Sequence, residues 1–578
     1  MVNIKINNIP LAVEEGTTIL QAAKQLNIDI PTLCYLKEIN EIGACRVCVV
    51  EVKGARNLVA SCVHPVSEGM EILTNTPKIM DARRKNLELV LSTHDKRCLS
   101  CAKSKDCELQ KLCKDYGVAD EDTFQGDRNK YDIEETSAHM VRDNNKCILC
   151  RRCVAACSKT QGIAVEGPIN RGFKTYIGCA FGQELGDSNC VSCGQCIVVC
   201  PTGALMEKDQ TQEVWEALAD PSKHVIVQTA PSIRVTLGEG FGMPIGSNVK
   251  GKMVAALKRL GFAGVYDCDI AADLTIMEEA HELLDRIKNN GPLPLFTSCS
   301  PGWVKYCEHN YPEFIDNLSS CKSPQQMFGA VAKTWYAEKN NLDPKDIFVV
   351  SIMPCTAKKF ECGREDQSAS GYPDVDVALT TRELIRMIER AGIDFTALPD
   401  EEFDAPLGIA TGAGVIFGAT GGVMEAALRT AVETLTGEEL KKLEFEEVRG
   451  VEGIKKATYN VAGMDINVAI ASGLANAKAL MEKIKSGEEK FHFVEVMACP
   501  GGCVNGGGQP TQPASVRNFV DVRAVRAKSL YQEDENLPLR KSHESPVVKE
   551  LYDTYFGEPG SHKAHEVLHT TYVKREKF

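Results

Sequence analysis

Several things are missing from this 578-residue chain. No apolar run approaches the roughly 20 residues needed to cross a bilayer, so no membrane-spanning helix is expected. The opening MVNIKINNIPLAVEEGTT alternates like a strand and has neither a signal peptide's apolar block nor a twin-arginine start. A cytoplasmic protein is expected. Positive charge is in deficit: 66 Lys and Arg against 79 Asp and Glu leave a net −13. That excludes the basic surface nucleic-acid phosphates demand, while leaving room for a partner with a basic docking patch. No G-x-G-x-x-G fingerprint marks a dinucleotide site, and no G-x-x-x-x-G-K-[ST] loop accompanies the glycines at 501–508.

What is present in excess is cysteine, with 25 residues. Reducing compartments disfavour structural disulfides, so clustered cysteines there point to metal or catalysis. The length exceeds what one core supports and implies several domains. In the first, VNIKINN and LAVEEG read as a hairpin, TTILQAAKQLNI as a helix, and CVVEVKG and NLVASCV as later strands. This stretch carries Cys34, Cys45, Cys48 and Cys62. Four thiolates from a loop and its flanks suit a [2Fe–2S] cluster, with zinc as the alternative. A helix-like run, KIMDARRKNLELVLSTH, then leads into His94, Cys98, Cys101 and Cys107. One imidazole and three thiolates by themselves suit zinc; their place between two cluster motifs favours [4Fe–4S]. Cys113 falls outside that spacing, and an Asp-rich connector follows over about 115–137.

Two near-repeats come next: Cys147-x2-Cys150-x2-Cys153-x3-Cys157, then Cys190-x2-Cys193-x2-Cys196-x3-Cys200-Pro201. This is the two-cluster ferredoxin run, in which the fourth cysteine of each run serves the other cluster. It predicts two [4Fe–4S] centres, Cys147, Cys150 and Cys153 with Cys200, and Cys190, Cys193 and Cys196 with Cys157. Clusters in series make a wire, so a redox reaction is expected at its end. From about residue 210 short apolar strands (HVIVQTAP, GVYDCDI, LPLFTSC, IFVVSIMPC, VDVALTT) alternate with helices such as ELLDRIKNN and TRELIRMIERAG, implying βαβ units with sites at strand C-termini. Cysteines recur at those ends: Cys299 in FTSCSPGW, Cys355 in SIMPCTAKK, and Cys499 and Cys503 in VMACPGGCVNGGGQP.

These three segments resemble the signature motifs of [FeFe]-hydrogenases, and the four-cluster N-terminal half is similar to that family's long clostridial form. The resemblance covers essentially the whole chain. It implies a multidomain α+β and α/β architecture: a β-grasp ferredoxin-like [2Fe–2S] domain over 1–78, a His/Cys [4Fe–4S] domain over 79–118 and a two-[4Fe–4S] ferredoxin domain over 119–209. An α/β catalytic domain follows over 210–510, and a wrapping, small-subunit-like tail over 511–578. Beyond one [2Fe–2S] and three accessory [4Fe–4S] clusters, it implies an H-cluster: a [4Fe–4S] cube joined through one cysteine to a two-iron unit bearing carbonyl, cyanide and a bridging dithiolate. Cys503 matches the bridging cysteine, and Cys355 and Cys499 match cube ligands. Where the family commonly has two adjacent cysteines, this chain has Cys299-Ser300. Either Cys299 keeps the family's proton-carrying role with Ser300 at the ligand position, or Cys299 becomes the fourth ligand, since a hydroxyl is a poor donor beside a thiolate.

Splitting H2 heterolytically releases a proton that must leave through relaying groups. In TIMEEAHELLDR, Glu279, Glu282 and Arg286 share a helical face that would ordinarily be solvated; with Ser319 and Cys299 they match the family's proton path. Lys358 matches a cyanide-holding lysine, and Met353, Met497 and Phe417 match residues packed on the two-iron unit. Cys179, Cys268, Cys307, Cys321 and Cys362 are expected to be structural thiols, and the tail histidines His543, His562, His565 and His569 surface groups. The expected reaction is reversible H2 oxidation or proton reduction, with electrons relayed to ferredoxin and maturation proteins as further partners. The alternatives are a catalytic subunit of a bifurcating complex whose flavin and NAD(H) sit on partner subunits, or a non-catalytic relative for cluster assembly or sensing. The iron–sulfur subunit of an NADH or formate dehydrogenase would share the N-terminal motifs but not the last three.

Overall fold

The computed structural model describes residues 1–118, 124–440, 442–461 and 463–576; residues 119–123 of the expected connector lie outside that set. β1 (Val2–Ile6) and β2 (Ile9–Val13) form the anticipated hairpin. Its turn residues Asn7 and Asn8 both have positive φ, at 50° and 69°, the primed geometry that matches strand twist. β3 (Val49–Val52), β4 (Val59–Ala60) and β5 (Glu71–Leu73) complete a five-stranded sheet in the order β2-β1-β5-β3-β4. The Ile19–Gln25 helix, started by a Thr18–Gln21 capping box, lays Ile19, Leu20, Ala22 and Ala23 against it. The Pro77–Leu91 helix, with Thr76 as N-cap and proline in its first turn, leads to His94.

The next segment is held by two small antiparallel pairs, β6 (Met140–Arg142) with β9 (Leu205–Glu207), and β7 (Gly167–Ile169) with β8 (Tyr176–Gly178). Short β-structure suffices there because six of the eight cysteines of the two runs and the residues packed with them, among them Met140, Val165, Ile177 and Leu205, make the core.

The C-terminal part contains two sheets. β10 (His224–Thr229), β11 (Gly264–Asp267), β13 (Ile347–Met353) and β14 (Val377–Thr380) form a parallel sheet ordered β11-β10-β13-β14. Cores lie on both of its faces, which is why HVIVQT reads as a continuous apolar run rather than an alternating one. β12 (Leu295–Phe296), β15 (Ile454–Val461), β16 (Met464–Ser472) and β17 (Phe493–Met497) form the second, ordered β12-β17-β16-β15. Only β15 runs antiparallel there. The 20-residue Asp269–Lys288 helix is buried along its first half and reaches solvent toward its end.

The tail is clamped by buried ions. Arg429 bonds Glu425 at 2.7 Å and Asp534 at 2.8 Å, with all three side chains fully buried. Arg234 meets Asp267, Asp269 and Glu533 at 2.8–3.0 Å. Further on, residues 568–572 run beside the 319–322 segment: Lys322 N donates to Leu568 O, Thr570 N to Ser320 O, and Tyr572 Oη to Ser319 O, at 2.8, 2.8 and 2.6 Å.

All three tryptophans (Trp215, Trp303, Trp335) lie beyond residue 210, so their fluorescence reports the C-terminal part alone. Arg429→Ala leaves Glu425 and Asp534 with only their outer arginines, Arg449 and Arg540, and is expected to destabilise that part by roughly 3 kcal/mol, the low end for breaking a buried pair. Denaturant unfolding followed by tryptophan emission checks it; an unmoved midpoint would refute the clamp.

Candidate active site and electron relay

The C-terminal ends of the two sheets face one cavity. Ala230 and Pro231 follow β10, Cys299 and Ser300 follow β12, Pro354 and Cys355 follow β13, and Ala498 and Cys499 follow β17; all eight line it. Cys503 enters from the turn after Cys499, and Met353, Met497, Phe417 and Lys358 complete the walls. Glycine is needed in that turn. Gly502 has φ +91°, and a Cβ there would stand 2.6 Å from Thr420 N; one on Gly506 would stand 2.2 Å from Pro354 O. Cys355, Cys499 and Cys503, 148 residues apart at the extremes, thus share one enclosure with almost no hard oxygen donors.

Burial governs the electrostatics. It pushes the Cys503 thiol up to about 12 and, with Glu279 nearby, the Cys299 thiol well above its ordinary value. A hydrogen bond shared with Cys499 lowers Cys355, helped by the Lys358 ammonium. The same bond raises Cys499. Thiols in such a place become thiolates only against added positive charge, which iron supplies. Soft sulfur donors, an apolar wall and one cation fit an iron–sulfur group and do not fit a magnesium or calcium site. Lys358 is itself held, donating to Ser323 Oγ at 2.7 Å and to Glu361 Oε2 at 2.9 Å.

On the Cys299 side lies a polar track. Glu279 is 1% exposed, neither of its oxygens has a hydrogen-bond partner, and burial raises its carboxyl to about 8. Ser319 Oγ, though close enough to Glu279 to oppose that rise, donates to Glu282 Oε2 at 3.2 Å. Arg286 Nη2 donates to Glu282 Oε1 at 2.6 Å and to the Leu318 carbonyl at 3.0 Å, and Nη1 to the Asp316 carbonyl at 3.0 Å, near the surface. Helical spacing anticipated a shared face; the burial of its first member was not readable.

Most of the accessory cysteines gather in three places. Cys48 and Cys62 sulfurs are 3.3 Å apart, Cys45 N donates to Cys34 Sγ at 3.5 Å, and all four influence one another's protonation. Cys200 lines a small cavity with Cys147, Cys150 and Cys153. Cys157 stands beside Cys190, Cys193 and Cys196. His94 is 7% exposed, burial holds its pKa below the usual imidazole value, and Nδ1 has no partner, as a nitrogen awaiting a metal would be. Among the described residues no three such donors converge as a single ion requires; a cluster spreads its ligands over several irons.

The spatial order departs from a simple series. Asn40 Nδ2 bridges the carbonyls of Cys34 and Cys150 at 2.9 and 3.0 Å. A Cβ on Gly203 would stand 2.6 Å from Cys101 Sγ, and Lys103 feels the charge of Cys200. Both N-terminal segments therefore abut one end of the two-run cysteine segment, around Cys150 and Cys200. Its other end is Cys193, which is near Cys355; Thr356 Oγ1 donates to Ser192 O at 2.8 Å and Gln195 Nε2 to Asn505 O at 2.9 Å.

Two expectations need correction. Cys268, expected to be merely structural, lines the catalytic cavity. Among the tail histidines, His562 is exposed, but His569 sits 3.1 Å from buried Glu278 and 2.8 Å from Ser320 Oγ, and His543 is 2.9 Å from Glu433. Their partners lie over a hundred residues away, beyond any local pattern. Gln325 and Pro324 of the cavity wall likewise had no readable signal.

The chain matches family models described as "Iron only hydrogenase large subunit, C-terminal domain" over 223–507 and "Iron hydrogenase small subunit" over 520–575. Models of a 2Fe–2S cluster binding domain, an NADH-ubiquinone oxidoreductase-G iron–sulfur binding region and a 4Fe–4S dicluster domain match 1–77, 83–122 and 146–204. It is 51% identical to the NADP-reducing hydrogenase subunit HndD of Solidesulfovibrio fructosivorans, covering 100% of both chains. It is 45% identical to iron hydrogenase 1 of Clostridium pasteurianum, covering 99% of this chain and 100% of that one. The solved apo [FeFe]-hydrogenase HydA1 of Chlamydomonas reinhardtii superposes with a TM-score of 0.58 at 43% identity, over 64% of this chain and 100% of that one. With sulfur donors converging where two sheets end and iron–sulfur modules leading to them, the chain belongs to the iron-only hydrogenase family and is a hydrogen-converting oxidoreductase.

Proposed function

We propose that Cys355, Cys499 and Cys503 would hold the H-cluster, with Cys503 in the family's bridging position, and that electrons travel to a ferredoxin-type carrier. The relay comprises one [2Fe–2S] at Cys34, Cys45, Cys48 and Cys62, and one [4Fe–4S] at His94, Cys98, Cys101 and Cys107. Two further [4Fe–4S] clusters use the cross-paired runs, and the five domains divide near residues 78, 118, 209 and 510. The observation carrying this reading is the meeting of three distant motifs in one apolar cavity that abuts Cys193. The protein works in the cytoplasm, after maturation proteins have supplied the cluster.

The H-cluster supplies the redox-active irons at which H2 is made or split. The protein excludes water with Phe417, Met353 and Met497, sets Lys358 against the cyanide side, and moves protons. Cys299 exchanges protons with the cavity, Glu279 stores one because burial disfavours its charge, and Ser319 passes it to Glu282, where Arg286 holds the outer carboxylate. A second reading has support in the 51% identity to a protein named an NADP-reducing hydrogenase subunit: electrons then pass to a partner subunit that would carry the dinucleotide site, since no G-x-G-x-x-G fingerprint occurs in this sequence.

Cys503→Ala is expected to abolish hydrogen turnover and leave the accessory clusters' EPR signals; near-normal turnover would defeat the bridging role. Glu279 is protonated below about pH 8, so proton delivery for H2 evolution falls as pH rises through that value. Glu279→Gln is expected to cut evolution by roughly 10²-fold or more and remove that limb of the pH profile; an unchanged profile would exclude Glu279. Native mass measurement separates the electron partners: a free chain reduced by ferredoxin supports the first reading, a stable flavin-containing assembly the second.

A further inference from the structure

Ser300 is the N-cap residue of the Pro301–Asn310 helix, yet its hydroxyl makes no capping bond. Serine at that position ordinarily accepts from the N–H of the second or third helical residue. Here Ser300 Oγ instead accepts from Ala498 N at 3.3 Å, across the gap to the end of β17, and the residue lines the cavity with Cys355, Cys499 and Cys503. The cap is forgone, and the oxygen is held beside Cys499.

Cys299 belongs to the other wall. Ser300 has extended backbone, with φ −101° and ψ 99°, and neighbouring side chains along an extended stretch point to opposite sides. Cys299 packs against the core cluster that includes Ala272, Ile276, Phe417 and Met497, on the flank that leads to Glu279. Ser300 lies on the flank where a Cβ at Gly302 would stand 3.1 Å from Ala498 Cβ and 3.8 Å from Cys193 Cβ. That flank adjoins Cys193, whose charge is felt by Cys499 and which itself feels Cys355.

We propose that Ser300 is the fourth ligand of the cube, binding iron through oxygen, and that Cys299 stays unligated as the proton carrier. This rests on the H-cluster reading above. When the cube is installed, the Ser300 O–H bond breaks, its proton leaves to solvent, and an iron–oxygen bond forms with no change in electron count. The Ala498 N–H donates to the resulting anionic oxygen, a charge-assisted bond that favours it. Oxygen is a harder donor than thiolate and favours the more oxidised iron, so the cube is harder to reduce than one with four sulfur ligands.

The matured holoenzyme, followed by infrared spectroscopy of its carbonyl and cyanide bands during redox titration, tests this. Ser300→Cys is expected to move the cube-linked transition to higher potential and shift the carbonyl bands. Ser300→Ala should lose iron from the cube, read as iron per chain and weakened bands. Cys299→Ala should keep the wild-type bands and midpoint while losing turnover. The proposal is overturned if Cys299→Ala loses the bands and cube iron while both Ser300 variants titrate as wild type. It is equally overturned if Ser300→Ala retains the wild-type midpoint. Absence of carbonyl and cyanide bands from the wild-type holoenzyme would instead fell the H-cluster reading itself.

Discussion

A buried sulfur cannot carry charge unless something nearby balances it. In the catalytic cavity this constraint organises everything else: Cys499 and Cys503 are pushed toward the neutral thiol by burial or by a shared proton, and Cys355 is eased toward thiolate only by Cys499 and Lys358. The cavity is thus a poor home for thiolates and a good one for thiolates bound to iron. Its apolar walls serve the same end, because water would screen the interaction between cluster and ligand. Two sheets are needed since no single one could present three strand ends, a glycine turn and a buried lysine to one volume.

Much of this was legible in the chain, and for identifiable reasons. Thiolates on short loops must keep fixed spacings, so the Cys147–Cys157 and Cys190–Cys200 runs stand out in sequence, and the fold sets Cys200 with the first run and Cys157 with the second. The β10, β13 and β14 strands were visible as apolar runs, and the cysteines stand just after β12, β13 and β17 as the α/β pattern requires. The rest depended on long-range packing. Nothing local distinguishes Glu279 from a solvated helical glutamate; it is buried because the Gly422–Thr436 helix and the second sheet close over that side. Cys268 and Gln325 have no motif, and they matter only because their helices end at the cavity. The approach of both N-terminal segments to the Cys147 run was hidden as well: Asn40 lies 6 residues from Cys34 but 110 from Cys150, and Gly203 follows Cys200 closely but meets Cys101 from far along the chain.

The ionic clamps show how the catalytic half tolerates so much buried charge. Arg234 and Arg429 each gather two or more carboxylates with no water between. Such groups add little net stability over an apolar substitute, but they penalise every misplacement. Here they fix the Val522–Asn536 helix and so set where the chain beyond it runs.

That run has a consequence for how the enzyme comes into being. Ser319 depends on a tyrosine 253 residues downstream for the hydrogen bond on its carbonyl, and Ser320 depends on Thr570 and His569. During synthesis the serine segment therefore emerges long before its supports do. Until those later residues arrive and dock, the Ser319–Ser320 segment stands beside Glu282 without the tail's hydrogen bonds to hold it there.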